Sequence, residues 1–546
     1  MTNNGTKPSS FEERLLSFFW RRPAQTLAER TRRRVTLHLV PYLFFLYILA
    51  YLDRVNVSVA ELKMENPIEQ GGLGFTKEVV GFGFGLFFFG YWILEIPSTV
   101  SVVRWGARWV FVRILVLWGI CAALVGYIGT PVCDHLFGWI PHMPEQMGGA
   151  ATFLNGLRYD PKYQFYFLRF MLGFFEGGFF PSVIVYLAHW FRPEDRAKSI
   201  AAFMAAIPLS SMLGLPLSGL LLDVHWFGLD GWRWIFILEG IAPIVAGFLT
   251  LFFLPDRPDK ARWLPPEERD WLMGELDREH RAKQAQGHWA WVHHLGMVLL
   301  LTIVYFCLNV TSYGLTSFMP AIVKSQSGLS DRWASILAGL PYVVAFVAML
   351  VNGWHSDRTG ERYWHAAVPL ALLSCGILLA AVLDGIRLVP VVVMIFCVGP
   401  FMYAHLPAFW PIPTKFLGAA VAASAIGFIN MIGNLGGQVG PTLVGKAATP
   451  PAPQVVVSTF IGLAASPGGA AVLPAGLSTT RSEVRFAPAL LKIAPWTLVA
   501  AVIILVAGYT RPKRPPIDKP ASASDSESLT TSANPASAVN PPGSGA

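Results

Sequence analysis

Tyr51-Leu52-Asp53-Arg54-Val55-Asn56 lies in the first long apolar segment of the chain, residues 36 to 60, and sets two adjacent opposite charges into a run otherwise suited to hydrocarbon. A helix needs about 20 mainly apolar residues to cross a bilayer. A charge at the centre of such a helix costs on the order of 3 kcal/mol, so an ionisable pair there is either paired or at work. One short stretch thus bears on fold class and candidate site together.

The same apolar pattern repeats along the chain. The 546 residues are 53% hydrophobic and 14% charged, which excludes an ordinary soluble domain and points to a polytopic, all-α membrane protein. Helices are expected near 36 to 60, 79 to 102, 109 to 129, 163 to 188, 198 to 222, 232 to 254, 295 to 322, 333 to 354, 365 to 384, 388 to 410, 418 to 445 and 493 to 510. That reading gives twelve transmembrane helices in two pseudo-symmetric six-helix bundles, 36 to 254 and 295 to 510. A cytosolic segment, 1 to 35, precedes them, a linker, 255 to 294, separates them, and a tail, 511 to 546, rich in Pro, Ser, Ala and Thr, follows with the composition of a disordered segment. Two enlarged outer loops fall at about 131 to 162 and 447 to 490.

Basic residues orient the chain. Arg21, Arg22, Arg30, Arg32, Arg33 and Arg34 precede the first helix, and Arg257, Lys260, Arg262, Arg269, Arg278, Arg281 and Lys283 fill the linker. The positive-inside rule puts both segments, and hence both termini, in the cytosol of a cell inner (plasma) membrane. The excess of 42 Lys and Arg over 34 Asp and Glu, net +8, is accounted for by this bias, and no aromatic-interleaved basic face suggests nucleic acid. The first 35 residues lack the apolar core and small-residue site of a cleaved signal, so the first helix is expected to direct insertion. Cys121, Cys133, Cys307, Cys375 and Cys397 show no metal-ligand spacing, so no disulfide and no metal are expected.

After the eighth predicted helix comes Gly353-Trp354-His355-Ser356-Asp357-Arg358-Thr359-Gly360-Glu361-Arg362, and at the matching place after the second comes Val103-Arg104-Trp105-Gly106-Ala107-Arg108. A glycine turn at a helix end lets Asp357 accept from helix N-terminal amides and the arginines reach C-terminal carbonyls. This Gly-x-x-x-Asp-Arg-x-Gly-x-Arg string resembles the signature loop of the major facilitator superfamily. The resemblance implies a conformational latch made by Gly353, Asp357, Arg358, Gly360 and Arg362, with Arg104 and Arg108 in the first half, whose copy has Val103 where the aspartate belongs. A closer resemblance, over most of 36 to 446, is to the anion:cation symporter branch of that superfamily. It is carried by the Tyr51 to Asn56 string, by Leu168-Arg169-Phe170-Met171-Leu172-Gly173-Phe174-Phe175-Glu176-Gly177, by Gly231-Trp232-Arg233-Trp234-Ile235-Phe236-Ile237-Leu238-Glu239-Gly240 and by Gly433-Asn434-Leu435-Gly436-Gly437. It implies uptake of organic anions, such as sugar acids or aromatic carboxylates, with protons. It also implies that Tyr51, Tyr91, Trp410 and Asn430 line the substrate cavity.

The charged residues fit that chemistry independently. Arg169 and Glu176 are seven residues apart and so share one helix face. Counting rise from Lys162 and from Glu61 places Arg169 at the depth of Asp53 and Arg54, with Glu176 about 10 Å deeper. Arg54 and Arg169 are permanent cations suited to carboxylates, whereas Asp53 and Glu176 can gain or lose protons. The expectation is that the carboxylates hold the arginines until protonated, after which substrate takes their place. The competing reading is a structural ion pair locking the first helix to the fourth. Glu95 and Glu239 read as structural partners of nearby arginines or helix ends, and His405, between two prolines, stands outside the core proposal. Phosphate loops, clustered metal ligands and nucleophile motifs are missing, so the chain reads as a carrier, not an enzyme. Its partners are a small organic anion, protons and the bilayer, its energy source is a proton gradient with no cofactor, and a monomer suffices. The rivals are a proton-driven exporter and a non-transporting anion receptor. A hydroxylated carboxylate and an aromatic acid stacked on Trp410 both fit the residues.

Overall fold

The computed structural model describes residues 26–284, 294–448 and 485–509, apart from 145, 147, 193, 194, 196–198, 200–202 and 418. Most of the predicted 447 to 490 loop, the predicted tail and the arginines at 21 and 22 lie outside these residues.

The first helix, α1 (Leu27–Met64), begins nine residues before the predicted boundary at 36. Thr26 starts it by accepting from the Glu29 amide at 3.2 Å, and an Arg33–Glu29 pair at 3.1 Å supports the first turns, so the polar leader continues the helix instead of hanging from it. Then come α2 (Lys77–Trp105), capped by Thr76, and α3 (Ala107–Val125), separated from it by Gly106 alone at φ +91°. The fourth span, α4 (Pro161–Ala188), is not the unbroken helix expected over 163 to 188. It stops at Glu176 and restarts at Phe179, with Gly178 at φ +84°, a conformation open to glycine at little cost. The first half closes with α5 (Ala206–Leu221) and α6 (Gly231–Phe253).

In the second half lie α7 (Leu295–Thr316), α8 (Asp331–Thr359, interrupted at Gly339), α9 (Tyr363–Val382), α10 (Val389–Lys415), α11 (Ala419–Gly433 continued by Gly436–Ala448) and α12 (Ala487–Tyr509). Ten helices among the described residues are long and apolar enough to cross a membrane; α5, at 16 residues, and the split α11 are the shorter apolar elements. In α10 a π-turn at Met394–Val398 and prolines 400 and 407 break the regular ladder, the kind of irregularity that a membrane protein tolerates beside a cavity. The region 131 to 162, expected as an enlarged loop, carries two short helices, Pro131–Phe137 and Gly149–Tyr159.

The halves meet along two seams, α2 on α11 and α5 on α8. Both need small residues: a Cβ at Gly81 would run into the Pro441 carbonyl, one at Gly445 into Lys77, and one at Gly219 into Ser335. Ion pairs lock the same end, Lys63–Asp331 at 3.2 Å, Arg332–Asp223 at 3.5 Å and Lys446–Glu78 at 4.0 Å. Among the described residues, every ion pair between the two bundles lies at this end, remote from the linker. At the other end the linker rests on the first bundle, its helix Pro266–Gln284 through Arg34–Glu268 at 3.2 Å and Arg192 over Trp271, and the turn before that helix through a His38–Trp263 ring stack at 4.1 Å.

Candidate functional site

The central charges of α1 and α4 meet, but not in the pairing that depth counting gave. Arg54 donates from Nη2 to Glu176 Oε1 at 2.5 Å and from Nε to the same oxygen at 3.2 Å. Glu176, expected about 10 Å deeper, is therefore the direct partner of Arg54, because a guanidinium reaches several ångströms beyond its own Cα. Asp53 instead accepts from Asn56 Nδ2 at 3.2 Å and from the indole N–H of Trp118 on α3. Arg169 donates to the backbone carbonyl of Asp53 at 3.4 Å and rests between the rings of Phe84 and Phe87. Its Nε and Nη2 are buried without a hydrogen-bond partner, as is the second oxygen of Glu176. Asp53, Arg169 and Glu176 are all fully buried. A buried cation with two unused donors, next to a carboxylate with an unused oxygen, is a set of groups with more than one way to pair.

Beside this cluster, between the halves, lies a narrow cavity of about 40 Å³, a volume on the scale of a few water molecules in this conformation. The predicted residues Tyr51, Arg54, Tyr91, Trp410 and Asn430 all line it. Arg169 does not: it faces the α1–α2–α4 interface, so among the described residues Arg54 is the one arginine on the cavity wall. Arg54 also bonds the second half, its Nη1 donating to Tyr313 Oη at 3.3 Å, and it packs over Tyr51 at 4.7 Å and Tyr91 at 5.3 Å. The indole nitrogen of Trp410 and Nδ1 of His405 are buried on the same wall without partners, which brings back into the site a histidine that the sequence reading set aside.

Sequence reasoning also missed Tyr305, Asn309 and Tyr313 of α7, which line the cavity from the second half, Tyr313 within hydrogen-bond reach of Arg54. Their spacing of four puts them on one helix face, a signal present in the sequence. Trp118 carried no such signal. Of the two acids read as structural partners of nearby arginines or helix ends, Glu95 accepts from Asn430 Nδ2 at 2.6 Å, across the two halves, and Glu239 accepts from Ser218 Oγ at 2.7 Å.

The loop 353 to 362 is held together largely by its own residues. Gly360 ends α8 at φ +69°, Arg362 bonds Asp357 at 2.6 Å and Ser356 Oγ at 2.9 Å, and Arg358 lies over Trp354. Gly353 lets Pro407 of α10 approach. Glu361 caps α9, accepting from the amides of Tyr363, Trp364 and His365. Partial burial pushes its carboxyl up, but the bond to the His365 ring and these three amides outweigh it and hold the group below the ordinary glutamate range. In the first half the missing aspartate is supplied from elsewhere: Asp256, at the start of the linker, accepts from the Arg108 amide at 3.0 Å and fills the space that a side chain on Gly106 would need. Arg104 sits in the last turn of α2.

A two-bundle helical protein with a central cavity bridging its halves is a membrane carrier in architecture. The comparisons with known proteins agree. Residues 43–441 match the model of the Major Facilitator Superfamily. A putative tartrate transporter of Agrobacterium vitis is 38% identical over 77% of this chain and 85% of its own length. A quinolone resistance transporter of Acinetobacter baumannii is 34% identical over 76% of this chain and 87% of its own. Among solved structures, a bacterial homologue of the human lysosomal transporter Spinster, inward-facing and occupied, superposes with TM-score 0.59 at 15% identity, covering 87% of this chain and 97% of that one. A D-xylose-proton symporter superposes with TM-score 0.58 at 15% identity, covering 86% and 96%. The chain belongs to the major facilitator superfamily and is a multi-pass membrane transporter, not an enzyme.

Proposed function

We propose that the protein couples entry of protons to uptake of an organic anion, a sugar acid, hydroxy-carboxylate or aromatic carboxylate, by alternating access. The observation that carries this is the Arg54–Glu176 pair on the cavity wall. While Glu176 is ionised it occupies Arg54, and a substrate carboxylate has no free cation to bind. A proton on Glu176 frees the guanidinium, so proton and anion load together. Arg169, with two unused donors, then competes for whichever of Asp53 and Glu176 remains charged and keeps the vacated site from collapsing. Tyr51, Tyr91, Trp410 and Asn430 complete the substrate contacts.

In this reading the linker and both termini face the cytosol of a plasma (inner) membrane, the end locked by the Lys63–Asp331 pair faces outward, and the structure stands in a state closed to the outside. A monomer suffices, and the proton gradient is the only energy source. The tartrate relative supports the anion class. The quinolone resistance relative favours the second reading, proton-driven export. Oriented vesicles decide between them: an inward-directed proton gradient should drive net accumulation of tartrate, and net loss under the same gradient would establish export. Glu176→Gln should abolish the response to the gradient, lowering proton-driven uptake more than tenfold, while substrate still stabilises the protein against heat. Unchanged proton-driven uptake in that variant would sink the coupling role.

A further inference from the structure

Glu95 and Asn430 meet from opposite halves, and the bond between them fixes more than distance. Each lies roughly 15 Å from the linker end of its helix by the rise per residue, so α2 and α11 bring them to one level. Glu95 is 3% exposed and Asn430 5% exposed, with Asn430 on the cavity wall. The amide nitrogen is the donor, Nδ2 to Oε1 at 2.6 Å, and the second oxygen of Glu95 is buried without a partner. Among the described residues Asn430 is thus the side chain that satisfies Glu95.

An amide has two chemically opposite ends, and in an open cavity either can face a ligand. Here the choice is made. While Glu95 is ionised and holds Nδ2, turning the amide over would set carbonyl oxygen against carboxylate oxygen, two acceptors with no proton between them. The end left for the ligand is chiefly the carbonyl oxygen, which accepts a hydrogen bond and repels an anion. Elsewhere on the cavity wall the polarity is reversed, because Arg54 with the hydroxyls of Tyr51 and Tyr313 forms a donor-rich pole.

We propose that Glu95 is a positioning residue that sets the polarity of the Asn430 subsite, so that this side of the cavity selects a substrate hydroxyl and disfavours a carboxylate or an unsubstituted carbon. The inference deepens the anion reading and rests on it: the substrate is a hydroxy acid, its carboxylate at the Arg54 pole and a hydroxyl on the Asn430 oxygen. An acid lacking that hydroxyl would leave a buried carbonyl unpaired, the loss on which polar sites discriminate most.

Tartrate, malate and succinate share one four-carbon dicarboxylate skeleton with two, one and no hydroxyls, and serve as probes in thermal stabilisation of the purified full-length protein. The wild type should bind tartrate about tenfold or more tighter than succinate. In Glu95→Gln, whose carboxamide pairs with Asn430 in either orientation, the ratio should fall below about threefold, mainly through weaker tartrate binding, with the ligand-free melting temperature unchanged. Equal binding of tartrate and succinate by the wild type overturns the inference and leaves the carboxylate reading standing, as does an undiminished ratio in the variant. A variant that loses all three ligands equally, with a lower melting temperature, assigns Glu95 a structural role and also overturns it. No stabilisation of the wild type by these three, by gluconate or by benzoate overturns the anion reading and this inference together.

Discussion

At the scale of single residues, the polar groups inside the first bundle are held by specific donors, and those donors are the sensitive points. Trp118 gives Asp53 an indole N–H where both side chains are fully buried. Trp118→Phe keeps the ring packing but leaves a buried carboxylate oxygen unpaired, at a cost of about 1–3 kcal/mol. Calorimetry should show a lower melting temperature with uptake impaired, and a melting temperature equal to the wild type would mean that Asp53 does not depend on the indole. Glu361 offers a test outside the bilayer. Its carboxyl titrates lower in the folded protein than in the unfolded chain, so its stabilising effect is present above the unfolded value near 4.3 and lost as pH falls through the folded value. Glu361→Gln should therefore melt earlier than the wild type at pH 7, and the gap should close as the pH falls through the lowered value of the folded carboxyl. A gap that persists in acid would assign the effect to lost packing.

At the scale of elements, what could be read from the sequence followed from the nature of each signal. Apolar runs and the glycine-bearing loop at 353 to 362 placed most helices, because length and periodicity suffice for that. The break of α4 at Gly177 and Gly178 was invisible, since glycines are common in tightly packed membrane helices and only tertiary contact shows which of them bends the chain. The Arg54, Glu176 and Asn430 positions were legible as charges and amides in apolar surroundings; their partners were not, because side-chain reach of several ångströms exceeds what counting rise can resolve. Asp256 illustrates the limit well, a residue more than a hundred positions from the motif that it completes. The seam of α2 with α11 gives a direct test at this scale. A Cβ-bearing residue at Gly81 must push the Pro441 backbone away, so Gly81→Val should open the remote end. With the native cysteines replaced and Ser312→Cys in the cavity, thiol labelling from that side should speed up several-fold, and an unchanged rate would show that the seam yields without opening.

At the scale of the whole molecule, the ion pairs between the bundles cluster at one end and bias which way the carrier faces. They are half-exposed, so each contributes about 0.2–1 kcal/mol, a one- to fivefold effect on the balance of the two states. Lys63→Gln should shift spin-label distances between the bundles towards the opposite opening, and the difference from wild type should shrink in high salt as screening weakens the original pair. A shift independent of salt would mean that the lysine acts by packing alone.

The linker, with its helix Pro266–Gln284, is stacked on the first bundle by Trp263, Trp271 and the arginine pairs, while the loop 353 to 362 belongs to the second. The molecule therefore carries a pointer fixed to one half and a dial fixed to the other, both at the water-exposed end. A fluorophore on each would turn every swing of the bundles into a change of light, without a label anywhere in the cavity or the seams.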